Sequence, residues 1–453
     1  MRIMEKEKMI CMRRRSAALT AGLLLLIAVI IIPLAVQPVW AEYDTITPIG
    51  NRDAKAPSIK ARSALVYSLQ LDRPVYEKEA DARREPYSIT KILTCYLALE
   101  NLDPDEIVTV SEAATQEYEN GTSIWLKPGE RISIRDLVYG AMLESGNDAA
   151  YALGEAVAGS EEAFADMMTR QAGEWGCADT SFVNANGWKH KSHYTTARDM
   201  AIIAKHCFEN ETLLRISRTK TYKAAATNKT GAREMHNYML LLADAHNKEI
   251  KSSGKGGTKL RIKSVRGGKT GTWEEDDCSI VVDFSEKGLD GIIVLLGDTK
   301  KSRISDAAKL MKYSHKVTPG YRVSKKGEAV TDVWVRHGAK TRTALAVSGT
   351  VRAYPRSGSD EDIRVEMEHE RIEAPVKKGD KLGEYNVYCD DELIAQKDLI
   401  ATEDIRTGWL PSYLYISNRT TVMIAGIAAG LALIILLVVL IIQLRRPRYK
   451  SRH

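Results

Sequence analysis

Cysteine is scarce in this chain, at six among 453 residues, and the six form no pattern. Cys11 lies at the N-terminus beside an apolar segment, which leaves Cys95, Cys177, Cys207, Cys278 and Cys389. An odd set without short paired spacings excludes a disulfide framework and a Cys-x-x-Cys metal site. Buried small apolar residues are the expected role, with one disulfide left open. The chain also lacks an internal repeat of fixed period, and its folded part lacks the basic character that nucleic-acid binding requires. The formal net charge is +6, yet residues 1–15 carry six Lys/Arg against two Glu and residues 445–453 carry five Lys/Arg. Setting aside these local charges of +4 and +5 leaves residues 42–420 at −3. The cations sit beside apolar segments, as membrane orientation requires, and no nucleic-acid partner is expected.

Apolar residues make up 44% of the chain, enough for packed cores, and the length suits about three structural units. Residues 17–32 are apolar, follow Arg13-Arg14-Arg15 and lead to Val39-Trp40-Ala41, a small-residue cleavage site before Glu42. Residues 1–41 therefore read as a secretory signal peptide, with an uncleaved anchor as the competing reading. Residues 422–442 are 21 uninterrupted apolar residues, and at about 1.5 Å per helical residue they span a hydrocarbon core of about 30 Å. A transmembrane helix is expected over 421–444. The five Lys/Arg beyond it place the tail 445–453 in the cytoplasm and residues 42–420 outside, a single-pass membrane protein whose helix contacts lipid. Trp409, Tyr413 and Tyr415, in a juxtamembrane segment 405–420, suit an aromatic belt.

Residues 42–62 are polar and Pro-containing, a linker by composition. An apolar run at 64–68 predicts a buried strand, and runs at 279–284 and 291–296 predict two more. Ile89, Ile92, Leu93, Tyr96 and Leu97 recur at helical spacing, which predicts one helix over 88–101 with Ser88 at its N-terminus. Helices are also expected over 134–142, 149–158, 161–175, 197–208 and 305–313. Strands at both ends with helices between predict an α/β domain over 63–317 whose sheet joins N- and C-terminal pieces. Beyond Thr318-Pro319-Gly320 the period changes to two: Val333 and Val335, then Ile363, Val365 and Met367, then Tyr385, Val387 and Cys389 alternate with polar residues. A small all-β domain is expected over 320–404.

Three motifs fall in order: Ser88-Ile89-Thr90-Lys91, Ser145-Gly146-Asn147 and Lys269-Thr270-Gly271. Acyl transfer needs a nucleophilic oxygen, a base for its proton and donors for the developing oxyanion. Ser88 supplies the oxygen, and Lys91, one turn on, shares its face. Lys91 works as a base only when neutral, a state that burial and a second cation such as Lys269 favour.

With these motifs, Ser145-Gly146-Asn147-Asp148-Ala149-Ala150, Asn186-Gly187, the run from His193 to Asp199 and the stretch from Ala374 to Asp380, the chain resembles the D-alanyl-D-alanine carboxypeptidases. These are low-molecular-mass penicillin-binding proteins of the serine peptidase S11 family, and the resemblance spans residues 60–404. It implies a penicillin-binding, β-lactamase-like catalytic domain, an antiparallel sheet with a helical subdomain, followed by the β domain. It implies that Ser88 forms the acyl-enzyme, Lys91 deprotonates it and Ser145 relays a proton to departing D-alanine. Asn147 would bind the substrate backbone, and Lys269, Thr270 and Arg303 its terminal carboxylate. Backbone N–H groups of Ser88 and Thr272 would form the oxyanion hole. The implied partners are a peptidoglycan stem peptide ending in D-Ala-D-Ala and β-lactams as covalent inhibitors, with no metal or cofactor. One departure stands out: Thr272-Trp273-Glu274-Glu275-Asp276-Asp277 is more acidic than the family's usual segment after Lys-Thr-Gly.

Other readings of the same residues are weaker. A β-lactamase of the same fold would carry a Glu-x-x-Leu-Asn context, and Glu211-Thr212-Leu213-Leu214-Arg215 lacks the asparagine. A non-catalytic penicillin sensor needs more than nine residues beyond the membrane. Gly268-Lys269-Thr270 imitates a phosphate loop, but Lys263 stands where its first glycine belongs. His190 and His193 are expected as solvated loop residues rather than a metal pair.

Overall fold

The computed structural model describes residues 46–51, 53–116, 121–252, 257–410, 414 and 416–444. The signal segment 1–41, the tail 445–453, Tyr413 and Tyr415 lie outside these residues.

The apolar run near residue 65 becomes strand Ser63–Ser68, buried on both faces and hydrogen-bonded on both sides. It sits in a five-stranded sheet of order Arg73–Lys78, Ser63–Ser68, Leu289–Asp298, Asp277–Glu286, Val265–Glu274, antiparallel throughout. Successive side chains point to opposite faces. Leu65, Val281, Ile292 and Val294 pack against the helical block. Val66, Ile280, Val282 and Ile293 pack on Ile304, Leu310 and Met311 of helix Arg303–Val317. The sheet thus stands between two apolar layers, and the strand carrying Lys269-Thr270-Gly271 forms its edge toward the helices.

The helical block contains Lys91–Asn101, Ile134–Leu143, Asn147–Ala158, Glu161–Glu174 and Ala197–Glu209. Several starts carry the capping chemistry their sequences predict: the hydroxyls of Ser133, Ser160 and Thr196 accept from the N–H three residues on. The expected single helix over 88–101 is instead a 3₁₀ turn, Tyr87–Thr90, followed by the α-helix. The reason is local: side chains three apart eclipse in a 3₁₀ turn, and this one brings residues 88 and 91 together. Helix Tyr238–Ser252 had no counterpart in the periodicity reading.

The β region holds a six-stranded sheet of order Ile363–His369, Lys381–Cys389, Glu392–Ala401, Arg342–Val347, Ala329–Arg336, Ile372–Glu373. Val333, Val335, Leu345, Tyr385, Val387 and Leu399 fill its core. Residues 42–62 are not wholly a linker. Thr47–Ile49 forms a strand that pairs antiparallel with Gly320–Ser324, and Ile46 packs on the β-region core. A polar composition hid this strand because its pairing partner lies about 270 residues away in sequence.

Helix Asn418–Leu444 is long and apolar enough to cross a membrane, with a mean hydropathy of 3.1 over its most apolar 18 residues and none of that stretch buried within the protein. The cysteines from Cys95 to Cys389 are all buried free thiols, so the disulfide left open does not form among them.

Candidate active site

The residues singled out from separate motifs meet along one cleft of about 770 Å³, between the edge strand Val265–Glu274 and the helical block. Ser88, Ser145, Asn147, Thr270 and Thr272 line it. Lys91 and Lys269 stand just behind, buried, with their amines turned toward the serines.

Lys91 Nζ lies 3.0 Å from Ser88 Oγ, within hydrogen-bond reach, and donates to Asn147 Oδ1 at 2.8 Å and to the Asn186 carbonyl at 2.6 Å, which in the neutral amine leaves its lone pair for the Ser88 hydroxyl. Burial first, then the charge of Lys269, holds this amine well below the ordinary lysine range. Lys269 Nζ donates to Ser145 Oγ and to the Thr270 carbonyl, both at 2.9 Å. Burial, and secondarily Arg303, lowers it to about 7. Two lysines thus each address one serine, and each depends on its surroundings for its protonation state.

The backbone that presents these groups is unusual at three points. Tyr87, before the serine, has φ +55°, and Ser145 has φ +62°, the left-handed region that most side chains avoid. Thr122 Oγ1 donates to the Ser145 carbonyl at 2.7 Å and holds that turn. Gly187, at φ +83°, lies so close that a Cβ there would stand 2.0 Å from the Tyr87 carbonyl oxygen. Glycine here keeps the Asn186 carbonyl within reach of Lys91.

Arg303 behaves differently from the expectation that it touches substrate. It is fully buried and absent from the cleft lining. Its Nη1 donates to the Gly271 carbonyl at 2.7 Å and to Thr272 Oγ1 at 2.8 Å, so it reaches the site through the strand it supports. The histidine expectation is also corrected for His193: it is buried, accepts from the Val183 N–H at Nδ1 and meets Thr90 Oγ1 at 3.0 Å through Nε2. Burial holds it neutral, down to about 3.

Sequence reasoning missed several contributors. Asp148, fully buried, accepts from Ser123 Oγ and from the N–H groups of Ile124 and Leu126, fixing the wall that carries Thr122. The Asn186 contact to Lys91 is made by a main-chain carbonyl, which no side-chain pattern could announce. Trp188 and Tyr238 line the cleft from a loop and from the unanticipated helix.

The D-alanyl-D-alanine carboxypeptidase profile of the peptidase S11 family matches residues 51–300, and the profile of the penicillin-binding protein 5 C-terminal domain matches residues 321–407. The chain belongs to the peptidase S11 family. Among its relatives, D-alanyl-D-alanine carboxypeptidase DacF of Bacillus subtilis (strain 168) is 28% identical over 361 residues, 78% of this chain and 88% of that one. A D-alanyl-D-alanine carboxypeptidase of Streptomyces sp. (strain K15) is 31% identical over 269 residues, 57% of this chain and 88% of that one. Penicillin-binding protein 5 from Haemophilus influenzae shares the fold, with a TM-score of 0.51 at 22% identity over 78% of this chain and 99% of that one.

Proposed function

We propose that this protein is a membrane-anchored serine D-Ala-D-Ala carboxypeptidase that removes the terminal D-alanine from peptidoglycan stem peptides and is acylated by β-lactams. The observation that carries the reading is the short contact between a wholly buried Lys91 amine and the Ser88 hydroxyl.

Lys91, neutral, takes the Ser88 proton as Oγ attacks the carbonyl of the penultimate D-alanine. The oxygen of that carbonyl gains negative charge and is held by the N–H groups of Ser88 and Thr272. A donor of this kind is worth about 3–4 kcal/mol in the transition state. As the tetrahedral species collapses, the C–N bond breaks and the departing amine receives a proton through Ser145, whose hydroxyl is bonded to Lys269. Lys269 and Thr270 bind the carboxylate of the departing residue, and Asn147 binds the retained backbone. Water then cleaves the Ser88 ester. Arg303 positions Gly271 and Thr272. Helix Asn418–Leu444 anchors the chain as a single span, with the catalytic part outside the cell and the β region as a spacer.

Incubating the full-length protein in detergent with a pentapeptide stem and measuring free D-alanine tests this. Release of one D-alanine per peptide supports it. Intact pentapeptide alongside rapid β-lactam hydrolysis contradicts it in favour of a β-lactamase, and accumulation of cross-linked dimer contradicts it in favour of a transpeptidase.

A further inference from the structure

The chemistry above uses the face of the catalytic sheet that meets the helical block. The layer on the other face gathers positive charge. Three segments join there in one apolar cluster: Ile59 from the chain before the first catalytic strand, Leu240 from helix Tyr238–Ser252 with Leu260 just after it, and Ile304 and Met311 from helix Arg303–Val317. With their apolar stripes turned in, both helices face solvent with the opposite stripe. Those outer stripes hold Lys312, Lys316 and Lys248, and Lys60, Lys251 and Lys263 flank them, all six exposed.

The net charge of the folded part conceals this segregation. Residues 53–61, 238–252, 257–263 and 303–317 carry eleven Lys/Arg against four Asp/Glu, whereas residues 42–420 as a whole stand at −3. Of the four acids, Asp306 is buried, paired with Lys309 at 2.6 Å and bonded by the Lys60 N–H; Asp53, Asp244 and Glu249 are the others. Neighbouring Glu286 takes Arg261 at 3.0 Å. Among the described residues, the six lysines named above enter no ion pair. The two helices pack on each other. His315, held down to about 4 first by burial, is reached by the charges of Glu286, Lys287, Arg352 and Arg261, so the last turns of its helix lie beside Arg261 and the turn 286–288.

The distribution of these cations selects the partner. An exposed charge contact is individually weak, so a small anion gains little here, while a chain of repeated charges engages several lysines at once. Lysine meets phosphate as a compact point charge on a flexible stem, which suits a polymer without fixed register. The bilayer is out of range. On the reading above the β region is a spacer, and its strand Ala329–Arg336 is about 26 Å long at about 3.3 Å per residue, against a screening length of about 10 Å at 0.1 M salt. That strand leads to His337, whose carbonyl accepts from the Gly408 N–H at 2.6 Å on the way to the membrane helix.

We infer that this outer face binds a linear polyanion with phosphodiester charges lying outside the membrane, and so holds the enzyme beside it. The inference rests on the reading above for the side of the membrane and the spacer, not for the reaction.

The test uses the full-length protein in non-ionic detergent and fluorescently labelled poly(glycerol phosphate), with dextran of matched length as the neutral control. Anisotropy is expected to show binding of the polyanion alone, roughly 10- to 100-fold weaker at about 200 mM than at about 50 mM salt, as several phosphate contacts require. Lys248→Glu, Lys251→Glu, Lys312→Glu and Lys316→Glu combined should weaken it by at least about ten-fold. The same reversal at four exposed β-region lysines, Lys325, Lys326, Lys377 and Lys378, changes the net charge equally and should cost less than about three-fold. Both variants should release D-alanine from a soluble pentapeptide at the wild-type rate, since neither set lines the cleft. No polymer binding, indifference to salt, equal losses in the two variants, or displacement by an equal phosphate concentration of short-chain phosphatidylglycerol in the micelle overturns this inference alone. The expected polymer binding without any D-alanine release supports this inference and overturns the carboxypeptidase reading.

Discussion

Lys91 Nζ stands 3.0 Å from Ser88 Oγ, and no part of the lysine reaches solvent. An amine in that position has lost its hydration and faces a second buried lysine, so the neutral form is favoured where a base is needed.

Replacing that amine tests its role as base. Lys91→Arg keeps a cation that cannot give up its proton, and Lys91→Met removes the group. Both variants should lower the acylation rate by about 10²–10⁴-fold, the usual contribution of a general base. Stopped-flow acylation by a chromogenic β-lactam measures it.

The two lysines set a pH profile with opposite limbs. Lys91 must be neutral, so activity falls toward acid as it gains a proton. Lys269 must be charged to hold a carboxylate, and in the free enzyme it loses its proton above about 7, so kcat/KM falls on the alkaline side from about pH 7. A kcat/KM that still climbs between about pH 8 and 9 contradicts this assignment of roles.

Arg303 works on the site from behind. Arg303→Met removes two hydrogen bonds from a charged donor, to the Gly271 carbonyl and Thr272 Oγ1, each worth about 1.5–3 kcal/mol. A loss of about 10- to 100-fold in kcat/KM is expected. Since Arg303 also lowers Lys269, the alkaline limb should move upward in the same variant. A purely structural role would leave the limb where it is.

Gly187→Ala places a methyl where only 2.0 Å separates it from the Tyr87 carbonyl, at φ +83°. Strain at positive φ and overpacking together should cost about 2–5 kcal/mol. Chemical denaturation in detergent measures the loss, and D-alanine release should fall with it as the Asn186 carbonyl leaves Lys91.

The parts legible in the sequence were those with a local signature. The spacing of Ile92, Leu93 and Leu97 marks the helix beneath Ser88, and alternation at Val333 and Val335 marks a β-region strand. Ser88, Lys91, Ser145, Asn147, Lys269 and Thr270 could be named because each stands in a short motif, and the chain brings them to one cleft. Other features depend on distant partners and so were hidden. Strand Thr47–Ile49 exists because Gly320–Ser324 pairs with it, and His193 is buried because Thr90 and Val183 supply its hydrogen bonds. Arg303 was recognised as part of the site but not as lying beneath it, since sequence carries no record of which side of a strand a distant helix covers.

The most direct test of the central claim is intact-protein mass spectrometry after brief exposure to benzylpenicillin, with peptide mapping. One penicilloyl group on Ser88, none in Ser88→Ala and very slow labelling in Lys91→Met are predicted. An unlabelled wild-type protein, or an adduct that persists when Ser88 is alanine, contradicts the account.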